Sequence, residues 1–150
     1  MPAEDDLLEL RAAQRVLRGH AEIIAAYVYG SYALGRPRPH SDVDVAVLLR
    51  ERGGRPVCGL PPTYEVDLSN ELGRALGHPR VEVIVLNGAA PLLAREVLRG
   101  RRFYVRAPRT VARQELRIRQ RYLDTAHLRA IQDHYLDAII RRGFSKAVGQ

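Results

Sequence analysis

The sequence predicts an α/β (α+β) fold in which helices flank a small mixed β-sheet. Short β-branched or apolar runs at 23–29, 42–49 and 80–86 have the length and composition of strands. Segments with apolar residues at helical spacing lie before, between and after these runs. Glycine and proline separate the two kinds of segment, most densely at 51–62, which we predict to be a loop.

The chain begins with a predicted helix, a strand and a turn. Asp5 or Asp6 is expected to cap the helix, and Gly19 to end it. The strand 23–29 follows, and residues 31–35 are predicted to form one helical turn. A helix N-terminus at that point carries a partial positive charge, which favours a bound anion.

The second strand, 42–49, carries two acidic residues in an alternating pattern. Asp42 and Asp44 flank Val43, and side chains at i and i+2 of a strand point to the same face. At ~4 Å and an effective dielectric constant of ~20, their repulsion costs about 4 kcal/mol. Protonation of one carboxylate, or a cation between the two, relieves that cost. Two hard oxygen ligands on a rigid strand suit Mg²⁺, which takes one or two carboxylates together with substrate phosphates.

A glycine–serine turn lies just upstream of this acidic strand. Glycine at position 30 lets a phosphate approach the backbone closely, and the Ser31 hydroxyl and neighbouring N–H groups can donate to it. Arg36 is suited to neutralise triphosphate charge, and Ser41 directly precedes the acidic pair. The predicted nucleotide-binding residues are therefore Gly30, Ser31, Arg36 and Ser41.

The spacing of these residues resembles a known signature. Gly30-Ser31, ten further residues and then Asp42-Val43-Asp44 are similar to the motif of the DNA polymerase β-type nucleotidyltransferase superfamily. The small size of the chain, the segment VEVIVLN at 81–87 and the Pro-Leu-Leu at 91–93 resemble the minimal nucleotidyltransferases (MNT), antitoxins that pair with HEPN-domain toxins. The resemblance covers most of residues 23–104 and implies a polymerase β-like fold.

The resemblance also implies a third acidic residue. In the superfamily, a carboxylate on the strand beside the Asp-x-Asp strand helps to hold metal or accepts the proton of the attacking hydroxyl. Glu82 matches that position, where related minimal enzymes commonly have aspartate. Asp42, Asp44 and Glu82 are thus the expected catalytic and metal-binding residues. The alternative interpretation of Glu82 is an exposed glutamate on an edge strand.

The rest of the chain predicts three helices and a strand. Thr63 is expected to cap a helix that ends at His78-Pro79. A helix at 89–98 and a short strand at 103–105 follow. Residues 110–142 contain neither proline nor glycine and therefore predict one long helix. That helix is basic, and it either docks an acidic partner, holds nucleotide phosphates or exposes a solvated face.

Length and composition bound the protein class. We treat 1–150 as one domain, with a core at about 21–105 and a helical extension at about 108–142. The formal charge of +7 favours acidic partners such as nucleotides, nucleic acid or an acidic protein face. Cys58 is the only cysteine, which excludes an intramolecular disulfide and fits a reducing, cytoplasmic setting. No apolar run is long enough to span a bilayer.

The resemblance implies a specific reaction. The expected protein binds ATP and Mg²⁺, with two ions, and transfers AMP to a tyrosine hydroxyl of a cognate HEPN ribonuclease toxin, which silences it. Two alternatives stay open. The chain is a catalytically weak antitoxin that acts by steric complex formation, or it transfers the nucleotide to a small molecule or to RNA.

Overall fold

The computed structural model of the chain describes residues 4–35, 41–56 and 59–148, with side chains described at 10–35, 41–55 and 59–143. The helices are α1 Glu4–Arg18, α2 Tyr64–Leu76, α3 Pro91–Arg99, α4 Pro108–Asp124 and α5 Ala126–Val148. The strands are β1 Ile23–Tyr29, β2 Val43–Leu49, β3 Glu51–Arg52, β4 Arg55–Pro56, β5 Val81–Val85 and β6 Arg101–Val105. A 3₁₀ turn, Leu86–Gly88, follows β5.

Within the described residues, four strands form the main sheet in the order β5-β2-β1-β6. Strand β1 runs antiparallel to both of its neighbours, β2 and β6, whereas β2 and β5 are parallel. Helix α2 lies in the connection between the two parallel strands, because a parallel pair cannot be joined by a tight turn. The predicted mixed sheet flanked by helices is therefore confirmed.

The two faces of the sheet carry separate apolar clusters. Val45 and Val47 of β2 point towards α1 and α2, where they pack with Leu17 and other apolar residues. Ala46 and Leu48 point to the opposite side and pack with residues of α3 and α4. Because β2 is buried on both faces, its sequence reads as a nearly continuous apolar run. We refer to the two sides as the α1/α2 face and the α3/α4 face.

Helix α2 covers the outer edge of β5. The backbone N–H of Val83 donates to Ser69 Oγ at 3.0 Å, and the N–H of Val85 donates to Glu65 Oε1 at 2.8 Å. These side chains satisfy strand donors that would otherwise face solvent or another chain. The edge strand that carries Glu82 is thus fixed in place by a helix on one side and by β2 on the other.

A buried carboxylate ties α4 to the sheet. Tyr27 of β1 donates its hydroxyl to Glu115 Oε1 at 2.6 Å, and Arg102 Nη1 of β6 donates to the same oxygen at 2.8 Å. Burial, followed by the bond to Glu115, raises the pKa of the Tyr27 phenol, so the hydroxyl remains a donor. A buried carboxylate that is paired and hydrogen-bonded fixes the position of the helix that carries it.

Three boundaries differ from the prediction. The loop predicted at 51–62 contains a short hairpin, β3 and β4, whose Gly53-Gly54 turn has φ of 61° and 76°. Asp5 and Asp6 lie within helix α1, Glu4–Arg18, so neither residue is its cap. Helix α2 ends at Leu76 because Gly77 adopts a left-handed φ of 62°.

The predicted long C-terminal helix is present, but the range 110–142 is divided at Thr125 into α4 and α5. The Thr125 hydroxyl donates to the carbonyl oxygens of Arg121 and Tyr122, at 2.9 and 3.1 Å. The Arg129 guanidinium also donates to the Tyr122 oxygen, at 2.8 Å. Side-chain donors therefore occupy a carbonyl that a continuous helix would pair with a backbone N–H.

Candidate functional site

Three side chains form a row across adjacent strands at one end of the sheet. Tyr29 is the register partner of Asp44 in the antiparallel pair β1–β2, and Glu82 is the partner of Asp44 in the parallel pair β2–β5. Register partners project to the same face, here the α3/α4 face. The structure thus places Asp44 and Glu82 side by side on adjacent strands, where the family resemblance implies a third carboxylate.

Asp42 lies one residue before β2 rather than on the strand. Its side chain is half exposed, and its Oδ1 is 3.9 Å from Nη1 of Arg80. The backbone N–H of Val43 donates to the Arg80 carbonyl at 2.9 Å, which holds the two segments side by side. Because both charged groups are mostly exposed, this ion pair contributes little to stability. It leaves the carboxylate accessible to a ligand.

The turn after β1 brings its backbone against the acidic row. Gly30 has a φ of 72°, and a Cβ atom at this position would lie 2.6 Å from Oδ2 of Asp44. A side chain would therefore meet both backbone strain and a steric clash. Glycine was predicted here for close approach of a phosphate; the structure adds that it makes room for the Asp44 carboxylate.

The crowding of carboxylates changes the acidity of the site. Burial, then the neighbouring charges of Glu82 and Asp42, raises the pKa of the Asp44 carboxyl above its ordinary value. Burial, then the charges of Asp44 and Glu82, raises the pKa of the Tyr29 phenol to about 12. Both pKa shifts reflect, besides burial, an excess of negative charge that a bound cation would offset.

The donor set fits a hard divalent cation. Three carboxylates at one end of the sheet offer the oxygen ligands that Mg²⁺ takes. In the part of the chain that the structure describes, no three acidic, histidine or cysteine side chains are already gathered into a metal-binding cluster. Asp42 and Glu82 are exposed, and Asp44 between β1 and β5 is partly buried. The metal-binding roles of these three residues remain predictions.

The predicted nucleotide-binding residues lie at the same edge, as far as they are described. Ser31 and Ser41 are partly exposed and flank the turn and the acidic strand. The N–H of Leu34 donates to the Gly30 carbonyl at 3.3 Å, so residues 30–34 form one turn of helical type. Arg36 lies outside the described residues.

Sequence reasoning missed two groups beside the site. Arg80 pairs with Asp42, and Tyr29 lies next to Asp44 and Glu82; strand register, which a single sequence does not reveal, produces both contacts. The sequence did offer one indication for Tyr29, because this residue directly precedes the glycine–serine turn. None of the helices among the described residues is long and apolar enough to cross a membrane.

Comparison with solved structures places the fold among known ones. A toxin–antitoxin structure with AMP-PNP is 21% identical, with a TM-score of 0.67 over 87% of this chain and 98% of that chain. The structure of a tri-AMPylated Shewanella oneidensis HEPN toxin in complex with MNT antitoxin is 20% identical, with a TM-score of 0.63 over 91% and 98%. The toxin–antitoxin MntA–HepT is 19% identical, with a TM-score of 0.64 over 89% and 98%. No curated protein matches the chain.

The fold and the acidic edge together define a domain of the nucleotidyltransferase class. The model of the family described as polymerase beta, nucleotidyltransferase matches residues 12–109. That range contains the glycine–serine turn and all three carboxylates. The chain belongs to the polymerase beta nucleotidyltransferase family, and the resemblance of its sequence to that superfamily is confirmed.

Proposed function

We propose that the protein is an antitoxin that transfers AMP from ATP to a tyrosine hydroxyl of a cognate HEPN ribonuclease toxin in the cytoplasm, and so neutralises the toxin. Membership of the nucleotidyltransferase family supports the reaction class. The shared fold with an MNT antitoxin complex whose toxin is tri-AMPylated supports the acceptor. The single observation that carries the proposal is the row of carboxylates beside the Gly30 turn.

Each residue of the site has a proposed role. Asp42, Asp44 and Glu82 would hold two magnesium ions, which supply neutralisation of phosphate charge and a template for in-line displacement. The left-handed turn at Gly30 presents backbone N–H groups and the Ser31 hydroxyl, which orient the triphosphate. No covalent intermediate with the protein is needed, since positioning and electrostatics account for this kind of catalysis.

The proposed step moves one nucleotidyl group. The oxygen of the acceptor tyrosine forms a bond to the α-phosphorus of ATP. The bond from that phosphorus to the bridging oxygen breaks, and pyrophosphate leaves with the electron pair. The phenol proton passes to Glu82, whose side chain is exposed at the edge of the sheet and can reach an acceptor that docks from outside.

Transfer of label tests the proposal. The purified chain is incubated with ATP labelled at the α-phosphate, Mg²⁺ and the product of the adjacent gene, and the labelled residue is mapped by mass spectrometry. We expect label on a tyrosine of that product and loss of its ribonuclease activity. Absence of transfer at every ratio of the two proteins contradicts the proposal. Label on RNA or on a small molecule would mean that this molecule, and not the toxin, is the acceptor.

A matched pair of variants ties the activity to the site. The Asp42→Ala/Asp44→Ala variant is expected to lose transfer. The Asp67→Ala/Glu71→Ala variant removes the same charge from α2, on the other face of the sheet. This variant is expected to retain transfer. Equal loss in both variants means that net charge rather than the site controls the reaction.

A second candidate function is neutralisation by complex formation alone. The observation in its favour is that the carboxylates of the described residues are neighbours without forming a closed metal site. In that case the Asp42→Ala/Asp44→Ala variant still neutralises the partner in cells, although it transfers no label.

A further inference from the structure

A groove lies between α3 and α4, on the face of the sheet that carries the acidic row. It has a volume of about 450 Å³ and an apolar floor formed by Leu98 and Ile118, with Leu123 at its margin. Neither helix fills it, although Ile118 is buried below and Leu98 packs against the core beneath. The groove is therefore a concave surface with hydrophobic depth, which distinguishes it from an ordinary solvated helix face.

The rim of the groove is cationic. Arg95, Arg99 and Arg119 line it together with Tyr122. The Arg95 guanidinium lies 4.9 Å from the centre of the Tyr122 ring, and the Arg129 guanidinium of α5 lies 3.9 Å from it. These stacked contacts hold the two cations in fixed positions without neutralising them.

The acidic residues near the rim do not balance it. Arg99 is 3.8 Å from Glu96, an exposed pair that is weak in water. Arg119 is 3.6 Å from Glu115, but that carboxylate is already bonded to Arg102 at 2.8 Å. The groove consequently keeps a positive charge that favours an acidic ligand.

The C-terminal end of α3, which lines the groove, lies against the strand that ends at the candidate active site. Gly100, which follows the last residue of α3, packs so closely on Val28 and Tyr29 that a Cβ atom would clash with the Val28 carbonyl oxygen. Tyr29 is in the same row as Asp44. The groove and the acidic row are therefore linked through the C-terminal end of α3.

Exposed apolar residues continue from the groove along the C-terminal helix. Leu123 is 69% exposed, and Leu128 and Ile131 at the start of α5 are 59% and 53% exposed. Large apolar side chains that are this exposed and this close in sequence are typical of protein interaction surfaces. Together with the cationic rim, they select a ligand that is both acidic and apolar.

We infer that this groove is the docking site for an acidic amphipathic segment of a partner protein, which presents leucine-like side chains to the floor and carboxylates to Arg95 and Arg99. The role of such a segment as the acceptor rests on the proposed function. A protein is favoured over RNA for two reasons. Two guanidinium groups already lie over the Tyr122 ring, which a stacking base would have to displace. The floor is aliphatic, and aliphatic pockets bind apolar side chains in helix-in-groove recognition.

Peptide binding by the full chain tests the inference. The probe is a fluorescent synthetic helical peptide with leucines along one face and glutamates along the other, and binding is measured by fluorescence anisotropy. The Arg95→Glu/Arg99→Glu variant is expected to bind about tenfold more weakly or worse, because it replaces attraction by repulsion. The control variant Arg11→Glu/Arg15→Glu makes the same charge change on α1, across the sheet, and is expected to stay within about twofold of the parent.

Two further probes define the outcomes. A scrambled peptide of the same composition is expected to bind about tenfold more weakly, because its leucines no longer line one face. Equal binding of both peptides, or equal loss in both charge variants, overturns the groove as a specific site. Groove-dependent binding of a single-stranded RNA oligonucleotide in place of the peptide also overturns it.

Nucleotide affinity separates this inference from the proposed function. AMP-PNP binding in the presence of Mg²⁺ is measured for the parent and for both charge variants, and it is expected to be equal in all three. Peptide binding that follows the variants while none of them binds AMP-PNP supports the groove and rejects the enzyme. Both charge variants must also keep the thermal midpoint of the parent, so that a loss of peptide binding reflects the surface.

Discussion

Strand β1 has a carboxylate beside each of its ends, and the protein treats the two in opposite ways. At the start, Glu22 Oε1 accepts a hydrogen bond from the Tyr64 hydroxyl at 2.8 Å and lies 3.3 Å from His20 Nδ1. Burial alone would raise the pKa of Glu22, but its own backbone N–H, Tyr64 and His20 together lower it below the ordinary value. This carboxylate is stabilised in its charged form.

At the other end, Asp44 lies opposite Tyr29 and next to Glu82, with Asp42 close by. Its pKa is raised by burial and by the two other carboxylates. A sheet that satisfies a carboxylate at one end thus exposes Asp44 to two further negative charges at the other. The crowded end therefore costs stability in the free protein, which is the usual sign that a ligand rather than the fold requires those charges.

The largest expected effect follows from removing one charge at the crowded end. Asp44→Asn keeps the shape of the side chain but removes a ligand and a charge, so AMP transfer should fall by more than about 10²-fold. Glu22→Gln makes the same chemical change at the other end and should leave transfer nearly unchanged. The initial rate of transfer at saturating ATP is measured for both variants. A similar loss in the two would show that the two ends of β1 do not differ in function.

The turn at Gly30 gives the next effect. In Gly30→Ala, the left-handed backbone costs about 1–2 kcal/mol, and the new Cβ atom meets the Asp44 carboxylate. We expect a loss of about 1–3 kcal/mol in the free energy of unfolding and a drop in transfer of at least about tenfold. Gly53→Ala, at another left-handed position with open space, is the control; it should lose stability and retain transfer.

At the satisfied end the effect should be on stability alone. Glu22→Ala leaves the Tyr64 hydroxyl without its acceptor, and we expect a loss of about 1–2 kcal/mol in the free energy of unfolding. Glu71→Ala removes the other carboxylate that contacts His20, which is more exposed, and should cost less. Urea denaturation monitored by circular dichroism measures both; a neutral result for Glu22 would mean that its network contributes no net stability.

The pH dependence of stability should have opposite signs at the two ends. The lowered pKa of Glu22 gives stability that is present above its ordinary pKa of 4.5 and is lost as the pH falls through the folded value. The raised pKa of Asp44 imposes a cost above its folded value, and the cost disappears as the pH falls. At pH 7 in metal-free buffer, Asp44→Asn should therefore be more stable than the parent and Glu22→Gln less stable. Both differences should shrink in acid.

The fold could be predicted from the periodicity of apolar residues, and the site from the spacing of its motif residues. Strands β1 and β2 and helices α2 and α3 were predictable because their apolar patterns are long and their ends carry glycine or proline. The hairpin of β3 and β4 was not, because two-residue polar strands have no periodic pattern. The break at Thr125 was not, because side-chain hydrogen bonds to carbonyl oxygens cause it rather than a breaker residue.

The candidate site shows the same division. Local strand geometry predicted a shared orientation of Asp42 and Asp44, but Asp42 lies one residue before β2. The place of Glu82 was reached through the family resemblance. The contacts of Asp42 with Arg80 and of Asp44 with Tyr29 depend on which strands pair and in what register. Register is a tertiary property that one sequence without an alignment does not specify, so these neighbours emerge only from the structure.

The smallest expected effect is a shift in the titration of Tyr29. Its pKa of about 12 has burial as the largest cause and the charge of Asp44 as the second. Asp44→Asn should therefore lower the phenol pKa, but not to the ordinary value of 10.0, because burial remains. The ultraviolet phenolate signal, taken as the difference from Tyr29→Phe in each background, isolates this group. An unchanged titration would mean that the Asp44 charge does not reach the end of β1, and that the crowding at this edge is weaker than the register of the strands implies.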